Sequence, residues 1–278
     1  MYRYVVVDVF TDTPLEGNPA AIITDARGVP AGRMQRIARE FNLSETVFVL
    51  PAENGGDARV RIFTPSAELP FAGHPVLGTA FVLGDAAGTP TIRLETGAGL
   101  VPVELARQDG RIASGRMRQP VPTWEPYEQA GELLAAVGVP SSGLPVEAYR
   151  NGPRHVYVEL ASEQAVASLR PDMDALARLP GIGVGCFAGA GRRWKSRNFA
   201  PALGVPEDPA TGSAAGPLAV HLARHGRIGF GQQIEISQGT EIGRPSRLYA
   251  RATGTADRID SVEVAGAAVI VARGELDA

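Results

Sequence analysis

A chain of 278 residues, 44% hydrophobic and 21% charged, has the composition of a soluble globular protein and enough length for a sizeable core or two average domains. A net charge of −3 and a pI near 5.9 argue against a general nucleic-acid binder, and no run approaches the roughly 18 apolar residues of a membrane span. The single cysteine, Cys186, excludes an intramolecular disulfide, a thiolate metal cluster and any mechanism that needs two thiols.

The opening MYRYVVVDVF is strand-like and lacks the n-region, h-region and cleavage site of a signal peptide, which favours the cytoplasm. Thirty-three Gly and 22 Pro between short Val/Ile/Phe-rich runs predict a mainly β chain. Strands are expected at 4–10, 20–24, 46–50, 58–63, 155–160, 233–237 and 261–271. A helix over 31–41 follows from Met34, Ile37, Ala38 and Phe41, which share one face. Two further helices, 75–83 and 214–222, are apolar nearly all round and must be enclosed. Pro75 suits a first helical turn, and Ser213 suits an N-cap. The basic run 192–197 is expected to be the solvated face of a strand, with no nucleic-acid role.

The enclosed helices reveal a repeat. Phe63-Thr64-Pro65 precedes Gly73 as Phe199-Ala200-Pro201 precedes Gly212, and Gly17-Asn18-Pro19 has a counterpart in Asn151-Gly152-Pro153. Each pair is separated by close to half the chain, so two similar β-rich halves are expected. They divide as 1–119 and 127–278, joined by a proline-rich linker at 120–126, with a ligand between them.

Chemistry concentrates at the two glycine-led helix starts. Free N–H groups and the positive dipole end at Gly73 and Gly212 suit a carboxylate, although a glycine alone also serves to turn a strand into a helix. Glu45 lies at a helix-to-strand junction between Leu43 and Val47, where desolvation would raise its pKa toward that of a proton shuttle. His74, in the first turn of its helix, should stay neutral and exchange hydrogen bonds. Asp208 either meets a substrate ammonium group or shapes the turn before Pro209. His221 and His225 have metal-pair spacing but no evident third ligand, so no metal is expected. The glycine-rich run 181–191 leads into a strand rather than a helix, and Gly-x-Ser-x-Gly is absent, so neither a dinucleotide site nor a hydrolase triad has support.

At these residues the chain resembles the PhzF (phenazine-biosynthesis) family. The resemblance runs through LEGNP (15–19), MQRIAREFNLSET (34–46), RIFTPSAELPFAGHPVLGT (61–79), NGPRH (151–155), CFAGAGRRWKSR (186–197), EDPATGSAAGPLA (207–219) and QGTEIGRPS (238–246). It implies an α+β, diaminopimelate-epimerase-like fold of two pseudo-symmetric halves, each a β-barrel around a central helix, assembled as a homodimer. It also implies a cofactor-free, metal-free isomerase acting on a small cyclic amino acid. Glu45 would be the acid/base catalyst, His74, Asp208 and Ser213 would line the site, and Gly73 and Gly212 would supply backbone donors. Asn18 and Ser44 would fall at the pocket edge. Racemases of this fold carry a cysteine at each helix start, where this chain has His74 and Ser213. A cofactor-independent racemase or epimerase, and a catalytically silent small-molecule binder, remain the alternative readings.

Overall fold

The computed structural model describes residues 1–179 and 181–277; residue 278, the end of the expected second half, lies outside them. The first part of the chain runs β1 (Tyr2–Val9), β2 (Asn18–Ile23), α1 (Ala31–Phe41), β3 (Glu45–Leu50), β4 (Ala58–Phe63), β5 (Glu68–Leu69), α2 (Gly73–Ala87), β6 (Thr91–Thr96), β7 (Gly99–Gln108) and β8 (Arg111–Gln119). The second runs β9 (Thr123–Pro126), α3 (Ala130–Val137), β10 (Glu147–Arg150), β11 (Arg154–Glu159), α4 (Glu163–Ala167), α5 (Met173–Ala177), β12 (Ile182–Ala190), β13 (Arg193–Ala200), β14 (Val205–Asp208), α6 (Gly212–Arg224), β15 (Ile234–Gln238), β16 (Ser246–Gly254), β17 (Ile259–Gly266) and β18 (Ala268–Leu276).

Strand pairing carries the repeat in full. Antiparallel β1–β2, parallel β2–β3, antiparallel β3–β4 and β4–β5, parallel β4–β6, and antiparallel β6–β7 and β7–β8 recur, with the same sense, between strands nine places later. Antiparallel β1–β18 is matched by antiparallel β10–β9, so the last strand of the chain sits beside the first. The pair β8–β17 joins the two sets. The fold is α+β and diaminopimelate-epimerase-like, with α2 and α6 at equivalent places, each between the fifth and sixth strands of its repeat.

The period of two along each strand sorts side chains to two layers. Ile22, Val47, Tyr157 and Phe187 point inward to the main core shared with α2 and α6, whereas Ile23, Phe48, Val156 and Cys186 point outward. The amphipathic α1 covers the outer face of the first half with Met34, Ile37 and Ala38, and α3, α4 and α5 cover that of the second. The central helices are buried on every side, α2 through Gly73–Phe81 and α6 through Gly212–Ala223, as their uniform apolarity requires.

Three expectations need correction. The run 261–271 is two strands broken at Ala267, whose carbonyl accepts from the Phe10 N–H at 2.8 Å. Four residues of the linker-like proline-rich segment form β9, which pairs with β10. The basic run is solvated only at Arg192 and Arg193 and buried beyond them: Lys195 reaches Glu241 at 2.6 Å, and Arg197 reaches Glu207 at 2.8 Å and the Leu169 carbonyl at 2.9 Å. Alternation alone does not reveal acidic partners on distant strands. Among the described residues no helix is long and apolar enough to cross a membrane.

Leu77, fully buried on α2, has no polar alternative to its core contacts. Leu77→Ala should cost roughly 2–5 kcal/mol, read as a lower urea midpoint at unchanged m-value.

Candidate active site

The N-termini of α2 and α6 meet backbone to backbone. A Cβ on Gly73 would stand 2.5 Å from the Gly212 carbonyl carbon and the Ser213 nitrogen, and one on Gly212 would stand 3.0 Å from the His74 nitrogen. Glycine is required at 73 by this approach, not by backbone angles; at 212 the tightest contact of a Cβ would be the Phe10 ring at 2.9 Å. Their N-cap residues, Ala72 and Thr211, make no side-chain cap, so first-turn N–H groups remain available at two facing positive dipole ends. Ser213 is therefore not the N-cap expected from sequence; it lies inside the first turn, and its Oγ is 3.1 Å from His155 Nε2.

Side chains from neighbouring strands hold the α6 tip. Pro217 inside the helix offers no N–H to the Ser213 carbonyl, which accepts instead from Asn151 Nδ2 at 2.9 Å. Gln119 Nε2 donates to the Gly212 carbonyl at 2.7 Å, and the Tyr157 hydroxyl to the Ala214 carbonyl at 2.6 Å.

Glu45 reaches this place because α1 ends at Asn42, a left-handed residue (φ 50°) whose N–H closes on the Ala38 carbonyl. The chain reverses through Leu43 and Ser44, and β3 begins at Glu45, beside Ala20 of β2. The Glu45 side chain is only 13% exposed. Its Oε2 lies 3.2 Å from His74 Nε2, but the approach is misaligned and neither atom has a hydrogen-bond partner. Burial, and then the negative charge of Asp208, push the Glu45 carboxyl well above its usual value. Burial pulls His74 down to about 3, against the raising effect of its hydrogen bond to the Pro19 backbone, so its ring is neutral.

Asp208 ends β14 and ties the halves together. Its Oδ1 accepts from Asn18 Nδ2 at 2.8 Å and Ser44 Oγ at 3.3 Å, and its Oδ2 from Thr211 Oγ1 at 2.6 Å. Burial raises its pKa and these three donors oppose the rise. Asn18 is fully buried, donates also to the Ala210 carbonyl at 2.9 Å, and keeps an unpartnered Oδ1. Gln238 braces the turn, donating to the Asp208 carbonyl at 2.7 Å and Thr211 Oγ1 at 3.0 Å.

A cavity of about 50 Å³, room for a few water molecules, is lined by Glu45, His155, Asn198, Asp208, Thr211 and Ser213 among apolar neighbours such as Leu69, Ala72 and Leu203. The structure thus gathers Glu45, Asp208 and Ser213 on one cavity, with His74, Asn18, Ser44, Gly73 and Gly212 directly behind them. Sequence reasoning missed His155, Thr211 and Gln238 as individual residues; all three lie in blocks that carried the family resemblance, but none has a motif of its own.

The histidine pair at the C-terminal end of α6 also looks different in three dimensions. Glu147 of β10 supplies the third ligand that sequence did not reveal, with the three ligand atoms within 4.8 Å of one another. The Arg224 guanidinium already neutralises that carboxylate, 2.8 Å from the same Oε2 that His221 and His225 approach at 3.3 and 3.0 Å, while stacking on Trp124. Burial raises the Glu147 pKa, but its bonds to His221, His225, Tyr149 and Arg224 outweigh that and lower it. A cation's place is taken by an arginine.

Fold and site together define a protein of the epimerase-like class whose cavity is lined by a buried glutamate of raised pKa beside two helix N-termini without side-chain caps. A profile of the PhzC–PhzF family, described as phenazine biosynthesis-like protein, matches residues 7–274. The chain belongs to this family. It is 57% identical over 274 residues to the trans-2,3-dihydro-3-hydroxyanthranilate isomerase of Pseudomonas aeruginosa, covering 99% of each chain. A PhzF-family phenazine biosynthesis protein from Bacillus anthracis superposes with a TM-score of 0.86 at 26% identity, covering 100% of this chain and 99% of that one. A probable proline racemase from Agrobacterium radiobacter shares the fold, with a TM-score of 0.68 at 14% identity over 100% of this chain and 93% of that one.

The raised Glu45 pKa has a stability consequence with a definite sign. The folded chain keeps this proton where the unfolded chain has released it, so stability is lost as pH rises from the usual glutamate value of 4.5 through the raised one. Glu45→Gln should therefore melt at a higher temperature than the parent at neutral and alkaline pH, with the gap closing below about pH 4. Equal melting curves across that range would show a solvated, unperturbed carboxyl.

Proposed function

We propose that the chain is an isomerase of phenazine biosynthesis that converts trans-2,3-dihydro-3-hydroxyanthranilate to 6-amino-5-oxocyclohex-2-ene-1-carboxylate, with Glu45 moving the proton. The carrying observation is the buried, pKa-raised Glu45 carboxyl beside two uncapped helix N-termini. The near-identical length and 57% identity to the named Pseudomonas aeruginosa isomerase fix the substrate reading.

The substrate carboxylate takes the first-turn N–H groups and the Ser213 hydroxyl, and the amino group faces Asp208. Ionised Glu45 removes the C3 proton. The electron pair of that C–H bond forms C3=C4, the two ring double bonds move to leave C5=C6, and a C–H bond forms at C1 with the proton that Glu45 returns. Charge that builds at C1 spreads into the carboxylate, where the helix-terminal donors stabilise it. The conjugated diene itself accepts the electron pair, which is why the reaction proceeds without a cofactor. The enol then becomes the ketone.

Neutral His74, 3.2 Å from the carboxyl and lowered to about 3, adds no competing charge to Glu45. The halves close over the ligand at this cavity, keeping out water that would protonate the intermediate elsewhere.

Loss of the diene absorbance on adding the dihydro acid to chelator-treated protein tests this reading; an unchanged trace would remove the substrate assignment. Glu45→Gln should still bind the substrate but lose roughly 10²- to 10⁴-fold in turnover, and near-parental kcat would exclude Glu45 as the proton carrier. Because the ionised form starts the reaction, kcat/KM of the parent should fall as pH drops, with an acid limb centred well above 4.5. A limb at the ordinary carboxylate value would mean that Glu45 is not desolvated in the working enzyme.

A further inference from the structure

His155 is a buried, titratable side chain on the cavity that the proton transfer leaves unused. It is 3% exposed, and β11 aims it inward opposite Gly183 of the parallel neighbour β12. Nε2 contacts Ser213 Oγ at 3.1 Å, and Nδ1 is buried with no hydrogen-bond partner. The space on the Nδ1 side exists because residue 183 is glycine: a Cβ there would stand 3.0 Å from Nδ1 and 3.9 Å from Asn198 Oδ1. His155, Gly183 and Asn198 all line the cavity, so the unpartnered nitrogen lies at the wall that a ligand would occupy.

Proton placement follows from the carboxylate. A Ser213 hydroxyl that donates to a carboxylate must receive its own hydrogen bond from His155, which puts the imidazole proton on Nε2 and leaves a lone pair on Nδ1. Burial lowers His155 to about 4, consistent with this neutral ring. A lone pair at a dry wall is matched by a ligand O–H. Asp208 already faces the amino group, so the remaining donor on the substrate is its ring hydroxyl.

We propose that His155 is a substrate-positioning and specificity residue that fixes the Ser213 hydroxyl as a donor to the substrate carboxylate and accepts, through Nδ1, a hydrogen bond from the 3-hydroxyl. This rests on the substrate reading above and extends it. His155 moves no proton of the reaction.

Two unreactive aromatic acids separate the roles: 2-aminobenzoate carries the carboxylate and amino group, and 3-hydroxy-2-aminobenzoate adds the hydroxyl. The parent should bind the hydroxylated acid roughly tenfold more tightly, the size of one hydrogen bond to a buried acceptor. In His155→Gln the amide nitrogen replaces Nε2 against Ser213 but nothing replaces Nδ1. That preference should collapse to within about twofold, with 2-aminobenzoate affinity little changed and KM for the dihydro acid raised several-fold more than kcat is lowered. Ser213→Ala should weaken both acids equally and keep their ratio. An unchanged ratio in His155→Gln, or an equal loss for both acids, overturns the proposal. Should His155→Gln not fold, His155→Asn, which keeps a polar atom near Nδ1 and loses the Ser213 contact, must preserve the preference while weakening both acids; loss of the preference there overturns it too. Absence of turnover by the parent, by contrast, would strike the substrate reading and leave the ratio test intact.

Discussion

Two glycines in contact set the geometry of this molecule. With 2.5 Å between a hypothetical Gly73 Cβ and the α6 backbone, no larger residue lets the helix tips meet, and without that meeting the two halves share no pair of facing helix N-termini. Each tip is enclosed by its own half, so its dipole acts in a medium where water screens it poorly. Everything chemical in the site is arranged around this junction: Glu45 and His74 approach it from the first half, and Asp208, Ser213 and His155 from the second.

Such a junction is intrinsically unfavourable to leave bare. The polar support around it is correspondingly dense, and it crosses between halves: Asn18 and Ser44 bind Asp208, and Gln119 of β8 binds the Gly212 carbonyl. These bonds hold the carboxylate of Asp208 in one orientation while leaving Glu45 without any donor. The contrast separates the two acids by environment. Asp208 has three donors that oppose the effect of burial, whereas Glu45 has none, and the charge of Asp208 works on it in the same direction as burial. Both carboxyls are raised by burial, but only at Glu45 does no donor oppose the rise.

Much of this was legible in the sequence because it is local. The uniform apolarity of 75–83 and 214–222 announces buried helices, the 3.6 period of 31–41 announces a surface helix, and the half-chain spacing of Asn-, Phe- and Gly-centred blocks announces the repeat. What stayed hidden depends on residues far apart in the chain. The pairing of β18 with β1 and of β8 with β17 follows from closure of the whole sheet, which no run of residues encodes. The carboxylates that let Lys195 and Arg197 be buried, Glu241 and Glu207, lie on other segments, so the run reads as solvated. Glu147 stands well before His221 in sequence and meets it only through barrel curvature. The buried Nδ1 of His155 is the same kind of case, since the glycine that opens its space belongs to the neighbouring strand.

The distinction from stereoinversion comes down to how many groups at the cradle can carry a proton. Inversion of a carbon needs one base and one acid on opposite faces, and the two helix starts are where such a pair would stand. Here one start presents His74, whose burial keeps it neutral down to about pH 3, and the other presents Ser213, whose hydroxyl lies against His155. Neither is a base of useful strength at neutral pH, and Cys186 is buried in the outer layer of the second half with its thiol pushed up to about 12. On the proposed reading Glu45 is the proton carrier at the tips, while Asp208 is held by its three donors. A lone carrier that takes a proton from C3 and returns it at C1 works on one face of the ring, so the transfer is suprafacial and part of the abstracted hydrogen travels with it. Retention of a C3 deuterium label at C1 in excess of solvent exchange is therefore the signature of one carboxyl acting twice, and complete washout would show either exchange of that carboxyl with solvent before reprotonation or a second proton source.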